Sequence, residues 1–430
     1  MKKNMLPRLI CLVLISFLFG ISTCKAYSVL THEAIIDASW EKFLVPLLKQ
    51  RFPEATPDQL KEAHAYAYGG AVAPDMGYYP FGSKLFTNLV HYVRSGDFVD
   101  CLLQEAQNIN EYAFALGCLC HYNADKYGHS LGTNVSVPII YPNMRSKFGG
   151  VVTYAEDKTS HARTEFSFDV LQTARGNYAS NAYHDYIGFQ VSEPVMERAF
   201  RKIYGLELKE VFGSFSLAVS TFRWSVQSLM PGITKVAWAL KKSDIEKATP
   251  GMTGRKFIYK MKRANYYQEF GKEHKKPGIG AQFFSFVIRI MPKVGPLKAL
   301  RFKTPTPEVE KLYIQSFDTV LAYYTTYLAS MTQKGPPLAN IDYDTGKKTV
   351  AGEYRLADEC YNDWVLKLES THFDSVSTSE KQNILDFYAK KNDLQISKKA
   401  MKKWGKVQLA LEELRSKQPI AGELAGLKKQ

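Results

Sequence analysis

Gly117-Cys118-Leu119-Cys120-His121-Tyr122-Asn123-Ala124-Asp125-Lys126-Tyr127-Gly128-His129 is the stretch from which the rest of the chain is best read. It continues an apolar pattern over Ile109–Ala124 that repeats every three or four residues, the period of a helix. On that helix His121 and Asp125 stand one turn apart on one face, so both reach one cation. His129 lies about 12 Å further along if the helix continues, since eight residues rise ~1.5 Å each. Such a separation suits two metals side by side, with Asp125 between them as a bridge. Gly128 is a point where the helix could unwind and re-aim His129.

A second pair with the same spacing, His161 and Glu165, sits on an expected helix over Ala155–Ala174. With His129 it makes a three-ligand set of the open kind, which leaves a place for water. Asp75 falls in a segment broken by Gly69-Gly70, Pro74 and Gly77, where a carboxylate can be aimed freely; Asp75 and His91 join His121 and Asp125 in another set. His64, on an expected helix over Pro57–Tyr68, reads as a packed or exposed side chain and not a ligand; Tyr78, Tyr79 and Phe81 could line a pocket wall and read first as local packing.

Helical periodicity also marks Ala34–Leu48, Leu85–Val93, Glu308–Met331 and Gly352–Leu368, with a loop over Gly335–Thr349 between the last two. Alternating strand patterns are scarce, and the expected class is all-α. With 430 residues, 45% apolar and 23% charged, the chain is long and apolar enough for one large core or two ordinary ones, which excludes disorder, collagen and a disulfide miniprotein. Residues 1–205 hold 19 Lys+Arg against 19 Asp+Glu, so the whole net charge of +14 belongs to 206–430. Seven of nine histidines precede residue 185, which places the chemistry in the neutral part. A boundary is expected near 205, with a basic, mainly helical region of unassigned role after it.

Lys2, Lys3 and Arg8, the apolar run Leu9–Ile21 and the small Ala26 have the layout of a secretory signal peptide over residues 1–26, with Tyr27 as the new terminus. The alternative is a lipid anchor on Cys24 in a loose Ile21-Ser22-Thr23-Cys24 box. Export permits disulfides, but Cys101, Cys118, Cys120 and Cys360 form no CxxC pair and read as core residues; a bridge from Cys101 to Cys118 or Cys120 is left open.

Taken in order, these residues resemble the zinc-dependent phospholipase C family and its relatives, the single-strand-specific zinc nucleases, over roughly Tyr27–Ala174. The resemblance implies an all-helical domain with two or three zinc ions. It assigns Asp75, His91, His121 and Asp125 to one ion and His129, His161 and Glu165 to a second. A third would be held by Tyr27, His32 and Asp125, with the terminal amine and carbonyl of Tyr27 as ligands. An α-amine with a pKa near ~7.7–8.0 can serve in that way. Tyr27 stands where the family usually has Trp, and three residues rather than the usual five separate Asp125 from the next histidine.

Clustered zinc suits in-line displacement at phosphorus, and the expected activity is phosphodiester hydrolysis, with Asp75 orienting or deprotonating the attacking water. Phospholipid is the favoured substrate, giving diacylglycerol and a phosphorylated head group. Glu165 resembles the phospholipase branch, whereas the five-residue step from Tyr27 to His32 resembles the nuclease branch. A non-catalytic zinc protein of the cell envelope is the alternative of another class. Gly251–Lys303 is basic and interleaved with aromatic and apolar residues, so it is expected to contact an anionic membrane surface.

Overall fold

The computed structural model describes residues 29–175, 189–225, short pieces between 238 and 254, 302–331, 337–389 and 398–420. The principal helices are α1 (Val29–Ser39), α2 (Pro57–Val72), α3 (Lys84–Tyr92), α4 (Ser95–Glu105), α5 (Ile109–Gly128) and α6 (Lys158–Arg175), followed by α7 (Glu193–Tyr204), α8 (Pro307–Ser330), α9 (Arg355–Glu369), α10 (Thr378–Tyr388) and α11 (Lys398–Ser416). Among the described residues there is no strand, only the isolated bridges Ile341–Lys348 and Ser377–Ile420, and the fold is all-α. No described helix is long and apolar enough to cross a membrane.

Local chemistry sets the start of α2. Thr56 Oγ1 accepts from the Gln59 N–H, Gln59 Oε1 accepts from the Thr56 N–H, and Pro57 occupies a first-turn position that needs no donor. Two expected boundaries differ. The periodic stretch Ala34–Leu48 is not one helix, because α1 passes at Ser39 into a π turn over Trp40–Leu44 before a short helix over Val45–Arg51. Pro46 lacks the N–H needed to continue the regular ladder there. At the other boundary, Gly69-Gly70 do not break the chain: α2 runs through them to Val72, and the irregular segment is the 3-10 turn Ala73–Tyr78 that carries Asp75.

Those glycines are kept by packing. The pair α2 and α5 makes the most extensive contact among the described helices. A Cβ on Gly70 would lie 1.9 Å from the Phe114 carbonyl oxygen, and one on Gly117 2.1 Å from that of Ala67. The two backbones therefore touch directly, which brings the Ala71 carbonyl to 2.9 Å from His121 Nδ1. Gly117→Ala must push the helices apart, and overpacking of this kind costs about 1–3 kcal/mol or more. We expect a clear drop in melting temperature for this variant, measured by circular dichroism; an unchanged value would contradict the close contact.

The core includes helices far apart in the chain. Tyr324 of α8 donates its hydroxyl to the Leu116 carbonyl of α5 at 2.9 Å, and Trp364 of α9 donates Nε1–H to the Tyr204 carbonyl of α7 at 2.9 Å. Val320, Trp364, Ile384 and Leu414 belong to the same buried apolar cluster as Ile35, Leu89 and Phe114. Cys101, Cys118, Cys120 and Cys360 are buried and unbridged. Residues 1–28, with the expected leader, Cys24 and Tyr27, lie outside the described residues, as does nearly all of 251–303.

Candidate metal centre

Six different pieces of backbone deliver eight side chains to one buried place. His32 comes from α1, Asp75 from the 3-10 turn, His91 from α3, His121 and Asp125 from α5, His129 from the turn that follows α5, and His161 with Glu165 from α6. All eight are buried. The start of α1 is tied to α6 through Asp169, whose Oδ2 accepts from the Leu30 N–H at 3.1 Å while its Oδ1 accepts from Thr31 Oγ1 at 2.6 Å. That tether sets where His32 stands, one residue further on.

Asp125 is central. Its Oδ2 lies 3.1 Å from His121 Nε2 and 3.5 Å from His91 Nε2. Its Oδ1 lies 3.5 Å from His32 Nε2 and 3.8 Å from His129 Nε2. On one side Asp75 Oδ1 approaches His91 Nε2 at 3.3 Å; on the other, Glu165 Oε1 is 2.7 Å from His161 Nε2 and 3.2 Å from His129 Nε2. The ligand atoms fall into three overlapping groups: Asp75, His91 and His121; His32, His121 and Asp125; and His129, His161 and Glu165. Tyr27 is not among the described residues; the structure brings each of the eight other expected ligands together with an expected partner, with His121 shared between two groups and Asp125 facing both sides.

His129 reaches the cluster by a route different from the expected one. Gly128 does not unwind; it keeps helical angles of φ −65° and ψ −45°. The ladder widens one residue later, into a π turn over His129–Thr133 closed by the Asn134 N–H on the His129 carbonyl. Asp125 is then one turn from both His121 and His129, and its two oxygens serve one each.

The donor set fits a metal on the evidence of its own hydrogen bonds. His121 Nδ1 faces the Ala71 carbonyl at 2.9 Å and His91 Nδ1 faces the Thr87 carbonyl at 2.8 Å. Carbonyls only accept, so each ring carries its hydrogen on Nδ1, and a neutral ring leaves a bare lone pair on Nε2. Those two Nε2 atoms face each other 3.4 Å apart. No well-formed hydrogen bond reaches either oxygen of Asp125 or of Glu165. Bare lone pairs and carboxylates gathered in a buried site are costly unless a cation lies among them.

The protonation tendencies agree with that crowding. Burial alone would raise the Asp125 carboxyl, but His121 and His129 beside it hold it well below the usual carboxylate range. Burial likewise opposes a charge on His91, yet the carboxylates of Asp125 and Asp75 facing it push it up to about 9. Burial raises Asp75, only partly offset by the His91 ring beside it.

Three expected bystanders are placed simply. His64 Nε2 lies 3.1 Å from Asp37 Oδ1 with its ring stacked on Trp40, away from the ligand groups. Tyr78 meets the His91 ring edge-on at 6.4 Å, and Tyr79 packs on Phe222. Sequence reasoning missed Tyr343 and Asp344, from a loop read only as a connection. The Tyr343 ring lies 4.9 Å from that of His91 and 5.7 Å from that of His121, and Asp344 Oδ1 is 3.4 Å from His129 Nδ1. The only available signal was the Asp/Gly-rich run Asp342-Tyr-Asp-Thr-Gly346, which by itself marks a turn.

An all-α scaffold with a buried cluster of histidines and bridging carboxylates defines the class: a protein built around a candidate multi-metal centre. Residues 31–214 match the family model for zinc-dependent phospholipase C. The matched segment contains all eight clustered side chains and excludes Asp344. Comparison with curated proteins and with solved structures found no match.

Proposed function

We propose that the protein is an exported zinc-dependent phosphodiesterase that cleaves phospholipid in the manner of a phospholipase C. The observation that carries the reading is Asp125, buried between two sets of ligands in the family-matched segment. Zinc held by these sets supplies Lewis-acid chemistry, lowering the pKa of water toward neutrality and neutralising charge that grows on phosphoryl oxygens. The chain's own residues do the rest. His91, His121 and Asp125 orient one side of the site, and His129, His161 and Glu165 the other. Asp75 has its carboxyl raised by burial, which brings it nearer the range where it can take a proton from the attacking water at Oδ1. The reading includes cleavage after Ala26, so that the amine of Tyr27 joins His32 and Asp125. It also includes attraction of the basic segment 251–303 to anionic lipid.

The purified exported protein should begin at Tyr27 and release diacylglycerol and phosphorylated head group from mixed vesicles of phosphatidylcholine, phosphatidylethanolamine and phosphatidylglycerol, with binding that rises with the anionic fraction. Cleavage of single-stranded DNA without lipid hydrolysis would replace this reading with the nuclease one, which the Tyr27–His32 spacing favours. Stoichiometric zinc without turnover on either substrate would mean a non-catalytic zinc protein.

A further inference from the structure

We infer that Asp344 is a positioning residue for the metal centre, supplied by the loop between α8 and α9 from outside the family-matched segment, and that it fixes His129 in the tautomer that turns a bare Nε2 toward the cluster. The inference rests on the zinc reading above.

Asp344 is buried, 4% exposed, and its carboxylate is divided between two tasks. Oδ2 accepts hydrogen bonds from the hydroxyls of Tyr92, at 2.8 Å, and Tyr354. Oδ1 faces His129 Nδ1 at 3.4 Å, a gap that a few tenths of an ångström of ring adjustment closes into a normal hydrogen bond. Two phenols donating to one oxygen keep the group an acceptor, so the hydrogen on the facing ring belongs on Nδ1. Nε2 of a neutral His129 then carries the lone pair, on the side where Glu165 and Asp125 lie.

The loop is anchored well enough to do this. The Asp344 carbonyl accepts from Asn134 Nδ2 at 2.6 Å, just past the π turn that presents His129, and the Tyr343 N–H donates to the His91 carbonyl at 3.2 Å. Asp342 turns the chain by accepting the Thr345 N–H at 2.7 Å. Gly346 has φ +70° and approaches so closely that a Cβ there would lie 2.5 Å from the Lys126 carbonyl oxygen. The loop thus rests on the end of α5, between the bridging aspartate and the π turn. His91 and His121 are oriented by main-chain carbonyls. A carboxylate is the stronger acceptor and makes its imidazole a better metal ligand.

The test has two arms, both on the full-length exported protein. In protein carrying ¹⁵N-histidine, long-range ¹H–¹⁵N correlation should show His129 as the Nδ1–H tautomer, with its signals assigned by their loss in His129→Gln. In chelator competition, Asp344→Asn should bind about one zinc equivalent roughly 10–100-fold more weakly and leave the others unchanged, with partial recovery in Asp344→Glu. Wild-type His129 protonated on Nε2 overturns the inference, and this arm reads the tautomer in the protein with Asp344 intact. Asp344→Asn that melts earlier yet keeps every zinc equivalent at wild-type affinity also overturns it, because Asp344 would then be a packing residue only. Wild-type protein that takes up no zinc overturns the zinc reading itself, an outcome separate from the other two.

Discussion

Asp125→Asn is expected to remove more zinc and more activity than any other single substitution. One oxygen of Asp125 faces His121 and His91 and the other faces His32 and His129, so the amide weakens ligand sets on both sides at once. It also places an N–H₂ group, which cannot ligate, among rings whose Nε2 atoms already face inward. Loss of an outer partner of a zinc ligand costs about 10–100-fold; loss of a shared ligand should exceed that, so we expect at least about 100-fold lower phosphodiesterase activity and more than one zinc equivalent missing by elemental analysis. His64→Gln is the comparison, since His64 pairs with Asp37 and stacks on Trp40 outside the ligand groups. It should keep its zinc and its turnover. Full zinc content and full activity in Asp125→Asn would refute the central assignment.

Chelation should have the second large effect, on stability as well as on turnover. Without a cation, the interior holds His32, His91, His121, His129, His161, Asp75, Asp125 and Glu165, none more than 5% exposed. A ligand that binds only the folded state at 1,000 times its Kd adds about 4 kcal/mol per site, and 1 kcal/mol moves the melting temperature of a 150–250-residue domain by about 2–4 °C. Allowing for the greater length of this chain, stripping the zinc should lower the melting temperature by about 5 °C or more and abolish hydrolysis, and zinc alone should restore both. Calorimetry with and without chelator measures it. An identical transition in the two states would mean that the cluster is content without metal, against the argument from its facing lone pairs.

Much of this centre was legible because its spacing is local. His121 and Asp125, and His161 and Glu165, are one helical turn apart, and a period of 3.6 residues places such pairs on one face whatever the rest of the molecule does. Thr56-Pro57 likewise signals its own helix start. Where the reading failed, a distant partner decided. Gly69-Gly70 look like a break until α5 packs on them and rewards the missing side chains, so that α2 continues to Val72. Gly128 looks like the place to redirect His129, but the backbone widens one residue later, into a turn whose next residue, Asn134, is bonded to the Asp344 carbonyl.

By itself the sequence determined the helical class and the placement of the candidate ligands one turn apart along α5 and α6, because those depend on residues within a turn of one another. Only the tertiary structure brought His32 and His91 against Asp125 and set Asp344, 252 residues beyond the Tyr92 that donates to it, behind His129. A contact across such a distance leaves no periodic trace in the chain; it arises when apolar burial docks one helix or loop on another, and the docking sets which polar groups meet.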